Sequence, residues 1–214
     1  MDNKNNKKNK TPAVKKEEYA VILDYLSRGY VKSDMSKFGG KAIAQAIGTE
    51  QFTLLELAPK NGVDLEIQDT VYIGKGKRDK IYRVLGRLDY ENLTATSRIE
   101  LEYAIRDIVE QQEDKFVEFF NTAEALSTRL HKLELIPGIG KKYMWEIIEA
   151  REEKPFESFE DISKRLPTLA DPAGMIVKRV QLELDTTNPK RGKNKYNLFT
   201  QPPRSQRRQQ RKPR

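Results

Sequence analysis

The chain has 214 residues, 34% of them charged and 37% hydrophobic, with a formal net charge of +8. It has no cysteine, which excludes disulfides, cysteine-based zinc sites and thiol nucleophiles. No apolar run approaches the roughly 20 residues of a membrane-spanning helix, and no apolar signal segment follows Met1, so the expected location is the cytoplasm.

The charge is unevenly placed. Residues 1–16 hold six Lys and one Asp, while residues 188–214 hold ten Lys or Arg and no acid. Subtracting these +5 and +10 from +8 leaves −7 for residues 17–187. The expectation is an acidic folded body between two disordered basic tails, at 1–16 and 188–214.

Residues 17–96 read as strands. "YAVILDYLSRGY" is rich in β-branched and aromatic residues, and "IAQAIGTEQFTLLELAP" is a longer run broken by Gly48. In "VDLEI", Val63, Leu65 and Ile67 alternate with acids, as in a half-buried strand. "TVYIGKGKRDKIYRVLGRLDY" reads as two strands joined by a Gly/Lys-rich loop. About five short strands separated by turns predict a small β-barrel, with room for a short helix within 35–47.

The period changes near Ser97, the predicted N-cap of a helix with Glu100 as its capping-box partner. Residues 97–187 then read as all helical. Asn121 with Glu124 starts a helix whose buried side is Ala125, Leu126, Leu130 and Leu133, and Met144, Trp145, Ile147 and Ile148 line another. Ser158 with Asp161, and Asp171 followed by Pro172, mark two further helix starts.

Between two apolar stretches lies "LIPGIGKK", Leu135 to Lys142. The first amides of a helix starting near Gly140 lack intrahelical acceptors and carry the positive end of the helix dipole. Gly138 and Gly140 leave that backbone open to a phosphate, Pro137 sets the entry, Ile139 anchors the turn, and Lys141 and Lys142 add charge. The pattern resembles the helix-hairpin-helix motif, which binds nucleic-acid backbone without reading sequence, and "KPFESFEDISKRL" is similar to its usual continuation. "RLPTLADPAGMIVKRV" keeps Leu166-Pro167 but lacks the Gly-x-Gly, as a degenerate second copy would. Its Lys178 and Arg179 are either phosphate contacts or, more simply, a solvated face.

The loop "GKGKRDK" carries Lys75, Lys77, Arg78 and Lys80, with Arg83 beyond and Tyr72 and Tyr82 flanking it. Cations among aromatic rings suit a single-stranded partner, although a hairpin turn with solvated lysines has the same composition. It is not a Walker A loop, because the spacer and the Ser/Thr are missing.

The domain order, with "LIPGIGKK" and "VYIGKGKRDKIYRV", resembles the domain-of-unknown-function family 655. These archaeal proteins are described as predicted RNA-binding proteins with an OB/S1-like barrel followed by helix-hairpin-helix segments. The resemblance spans roughly 17–187. It implies an α+β fold of two domains, an OB-like barrel over 17–96 and a helical domain over 97–187, and RNA more than DNA as partner.

With His131 as its one histidine, the chain offers no nucleophile–base arrangement and no ligand set for zinc. The expected function is therefore non-catalytic nucleic-acid binding, without cofactor or metal, in keeping with docking on the ribosome or another ribonucleoprotein. A DNA repair or replication accessory, or a protein scaffold with nucleic-acid-binding tails, are the alternatives.

Overall fold

The structure is a computed structural model that describes residues 16–30, 41–185 and 196–201. The expected tails therefore fall largely outside the described residues, as does the first part of the helix expected within 35–47; residues 43–47 of that span are strand.

β1 (Tyr19–Leu26), β2 (Ile43–Gly48), β3 (Leu54–Pro59), β4 (Thr70–Tyr72) and β5 (Ile81–Arg87) form one antiparallel sheet in the order β4-β1-β2-β3-β5. Ala20, Ile22, Ala44, Ala46, Leu55 and Leu57 face one side with Val71 and Ile81. Val21, Leu23, Ile47 and Leu54 face the helices on the other. Cover on both faces explains why β1 and β2 are nearly continuous apolar runs rather than alternating ones.

The closed barrel expected over 17–96 is instead a curled half-barrel. β4 is antiparallel to β1 and β5 is antiparallel to β3, so β4 and β5 run in the same direction and share no ladder. The loop 73–80 thus spans the two edges of the sheet rather than closing a hairpin. Residues 63–67 are not a strand; only Leu65 of their apolar set is buried, and Ile67 is 42% exposed. Turn bonds at both ends, from Val63 N to Lys60 O and from Asp69 N to Glu66 O, hold this backbone away from a ladder.

α1 (Ala95–Gln111) begins at Thr94, not Ser97: the buried Ser97 donates its amide to Thr94 Oγ1 at 3.0 Å. The sheet selects this cap. Thr94 donates its amide to Gln45 Oε1 at 2.9 Å and its hydroxyl to Asp24 Oδ2 at 2.6 Å. The buried Gln45 also donates to Tyr30 Oη, and Tyr30 donates to Glu56 Oε1 at 2.6 Å. Burial, then the Glu56 hydrogen bond, push the Tyr30 phenol up to about 12.

After α2 (Glu113–Thr122) the chain is not helical throughout, as 97–187 was expected to be. Residues 125–135 hold a small hairpin, β6 (Ala125–Ser127) with β7 (Leu130–His131), and a 3-10 helix, Lys132–Leu135. Asn121 does not cap a new helix. Its side-chain amide brackets Phe156, donating to its carbonyl at 2.9 Å and accepting from its amide at 2.8 Å. α3 (Lys141–Glu153), α4 (Phe159–Arg165) and α5 (Pro172–Leu184) follow, with Ser158 and Asp171 capping α4 and α5 as expected.

The sheet and the helices share a core. Val21, Leu23, Ile47, Phe52 and Leu54 of the sheet region belong to the same buried cluster as Leu101, Ile105, Phe116, Ile147 and Val180 of the helices. Residues 196–201, assigned by sequence to the basic tail, also pack on this body. Phe199 meets Phe116 and Phe119 edge-on at centroid distances of 5.4 and 5.0 Å. Among the described residues, no helix is long and apolar enough to cross a membrane.

Candidate nucleic-acid interface

The turn from Ile136 to Gly140 is held by its own backbone. Ile139 N donates to Ile136 O at 3.0 Å, and Met144 N closes the first turn of α3 on Gly140 O at 2.9 Å. Ile139 is buried at 4% exposure, so it anchors the loop as expected. Gly138 has φ +93°, a left-handed conformation that disfavours a side chain. Gly140 differs: its φ is −91°, and a Cβ there would meet nothing within 4 Å. Its missing side chain leaves open space over the start of α3.

That start is unlike those of α1, α2, α4 and α5. α1, α4 and α5 are capped by the side chains of Thr94, Ser158 and Asp171, and α2 has Glu113 and Asp114 in its first turn. α3 has neither a side-chain cap nor an acid in its first turn. Lys141 and Lys142 are exposed there, and Lys142 Nζ lies 3.8 Å from Glu146 Oε1. Surface pairs of this kind contribute little, so Lys142 remains available to an anion. Trp145, placed by sequence in the apolar row, is 64% exposed one turn beyond Lys141.

The degenerate second turn repeats the backbone. Leu169 N donates to Leu166 O at 2.8 Å, as Ile139 does to Ile136, and Leu169 is equally buried. Its following helix is plugged, however. Asp171 Oδ1 accepts from Gly174 N at 2.8 Å, and Asp171 Oδ2 accepts from Arg106 Nη2 at 3.2 Å. Burial alone would raise the Asp171 carboxyl; the Gly174 amide and Arg106 outweigh it and hold the group below its ordinary value. Arg179 is 2% exposed and cannot meet a phosphate, whereas Lys178 is exposed.

His131 lies outside any α-helix. It is buried as the N-cap of the 3-10 helix, with Nδ1 accepting from Leu133 N at 3.1 Å while its own amide donates to Glu134 Oε1 at 2.9 Å. Burial, then the positive charge of Arg151, depress its pKa. Its acceptor nitrogen is thus used to shape the approach to the turn. Among the described residues, no three of His, Asp and Glu converge as a metal site.

The loop 74–80 divides the basic patch. Tyr72 is half-buried, packs edge-on against Tyr19 at 5.3 Å and accepts from Gly76 N at 3.0 Å. A Cβ on Gly74 would lie 2.4 Å from the Tyr72 hydroxyl, so Tyr72 fills the loop. Arg78 Nε donates to Gly74 O at 2.9 Å, and Lys80 Nζ pairs with Asp69 Oδ2 at 2.6 Å. The Lys80 hydrogen bond holds the Asp69 carboxyl below its ordinary value. Lys75 and Lys77 project from this scaffold as exposed residues. Tyr82 and Arg83 instead line a cleft of about 990 Å³ with Lys41 and Lys60. Pro137, Gly138, Ile139 and Gly140 line a different cavity, of about 430 Å³. Sequence reasoning missed Lys41 and Lys60, which stand alone in their local stretches, and Trp145, whose spacing mimics a core position.

The family description "Protein of unknown function (DUF655)" matches residues 16–201. The chain belongs to the DUF655 family. The match runs through residues 196–201, so the packed C-terminal segment lies within the family's extent. The chain is 48% identical over 194 residues to "Uncharacterized protein MJ0038" of Methanocaldococcus jannaschii, covering 90% of this chain and 83% of that protein. The crystal structure of Af1531 from Archaeoglobus fulgidus, another DUF655 member, superposes with a TM-score of 0.77 at 43% identity. That match covers 86% of this chain and all of the other.

Proposed function

We propose that this DUF655 protein is a non-catalytic RNA-binding protein that grips phosphate backbone at the start of α3. We read Ile136–Lys142 as the turn of a helix-hairpin-helix element whose first helix is the short 3-10 turn, and the half-barrel as an OB/S1-like platform. The carrying observation is the start of α3: uncapped, free of acids, open above Gly140, and flanked by Lys141 and Lys142. Its plugged counterpart at Asp171 provides the internal contrast. Lys75 and Lys77 supply a second cationic point, and the basic termini add attraction through counterion release. Partnership with the ribosome or another ribonucleoprotein fits this charge layout.

Trp145 is the one tryptophan, so its emission reports on the start of α3. Titration with matched RNA and DNA, single- and double-stranded, across a salt series tests the reading. The expected result is quenching by RNA that weakens with salt and is reduced by Lys141→Gln with Lys142→Gln and by Gly140→Val. Equal affinity for DNA moves the assignment to the repair or replication class. Affinity unchanged in all these variants sinks the grip. Loss of all binding when both basic tails are deleted favours a protein-interaction scaffold, for which Ile99 and Tyr103, 63% and 61% exposed on α1, are the surface.

A further inference from the structure

We propose that the cleft beside β5 is a second, separate site, one that takes an unpaired nucleotide, with Tyr82 as its stacking ring and Lys41 and Lys60 as its phosphate contacts. The proposal deepens the nucleic-acid reading and rests on it, but it shares no residue with the turn before α3. Three parts of the chain build the cleft: the facing ends of β1 and β2, the turn after β3, and β5. Its volume of about 990 Å³ lies at the upper end of the roughly 300–1,000 Å³ typical of small-molecule sites.

The register of β5 carries the argument. Pro59 pairs with Ile81 and Ala58 with Arg83, which leaves Tyr82 as an extra, bulged residue. Leu57 pairs with Val84 and Glu56 with Gly86, which leaves Leu85 as a second. Both extra residues line the cleft. Bulges bend a strand and re-aim side chains. Here one of them holds a tyrosine 69% exposed in a concave surface, where a core role would bury it.

The charge of the lining fits a polyanion. Lys41 and Lys60 line it with one acid, Asp64, whose Oδ1 already accepts from Tyr25 Oη at 3.2 Å. This basic lining contrasts with the −7 of residues 17–187. An exposed ring among cations is the recurrent platform for single strands, because every base offers a π-face. An extended peptide is the weaker fit. Adding a strand to the free edge of β5 needs a regular ladder, and two bulges within seven residues interrupt it.

The test uses the full chain, a labelled oligouridine of about eight nucleotides and its 4-thiouridine form for crosslinking. Tyr82→Ala is expected to weaken binding roughly five- to 150-fold, the range for loss of one stacked base, while Tyr82→Phe binds as the parent does. Lys60→Gln is expected to lower the salt slope by about 0.7, as for one lost single-strand phosphate contact. Crosslinks are expected within residues 81–87. If Tyr82→Ala binds within twofold of the parent while Lys141→Gln with Lys142→Gln weakens binding, the cleft is overturned and the grip stands. If no variant and no parent protein binds the oligonucleotide or crosslinks to it, the nucleic-acid reading falls and the cleft with it.

Discussion

Arg179 and Glu183 sit one turn apart on α5, with Nε 2.7 Å from Oε1 and side chains only 3% and 2% exposed. Each reaches beyond the other. Arg179 Nη1 donates to Leu135 O at 2.9 Å, at the entry to the turn, and Nη2 donates to Tyr196 O. Glu183 accepts from the amides of Leu198, Phe199 and Thr200 and from the Thr200 hydroxyl, at 2.7 to 3.1 Å. One buried ion pair thus ties the turn before α3 to the returning C-terminal segment.

A buried charge is tolerable only while its partners remain, and removing one partner costs about 3–5 kcal/mol. Arg179→Met is therefore expected to destabilise by about that amount in urea denaturation. Glu183→Gln should also be costly, because its NH2 group would face the donors of 198–200. A loss below about 1 kcal/mol for Arg179→Met would contradict the role given to the pair.

His131 makes stability depend on pH. Its folded pKa is depressed, so the unfolded chain binds the proton more readily. The contribution is fully present above the unfolded value of about 6.5 and is lost as pH falls through the lower folded value. The urea midpoint should therefore fall on acidification from about pH 7 into this window, and His131→Asn, which keeps an acceptor but does not titrate, should flatten the slope. An identical slope in the variant would remove His131 as the cause.

The two glycines of the turn separate folding from binding. Gly138→Ala places a side chain at φ +93° and should cost about 1–3 kcal/mol. Gly140→Val meets open space at an ordinary φ and should leave thermal stability nearly unchanged while weakening RNA binding. Differential scanning calorimetry alongside the Trp145 titration distinguishes them; a Gly140→Val protein that unfolds early would place this glycine in the fold instead.

Thr94→Ala removes the cap of α1 and leaves Asp24 without its 2.6 Å donor. The expected loss is up to about 2 kcal/mol, the upper end of the N-cap range. Ser97→Ala is the control. The Ser97 hydroxyl is buried without a partner, so its removal should be neutral or stabilising in the same denaturation assay. The reverse ranking would restore Ser97 as the cap.

Much of the fold was legible in short patterns. β1, β2, β3 and β5 follow apolar runs, and the caps at Ser158 and Asp171 follow residue pairs three apart or adjacent. The turn at Pro137–Gly140 and the inward Ile139 were legible for the same reason, since a few adjacent residues determine them. Capping, turn conformation and periodicity are local properties that a sequence carries without its fold.

Only the tertiary structure decided the rest. It sent β4 and β5 to opposite edges of the sheet and so left the barrel open. It occupied Arg78 and Lys80 within the loop and turned Trp145 outward. Arg179 and Glu183 show the reason most clearly. Arg179 reads from sequence as part of a solvated face, and the burial of the pair depends on acceptors and donors 44 and 15 to 17 residues away. Burial is a property of what packs against a residue, and that is settled only when distant parts of the chain meet.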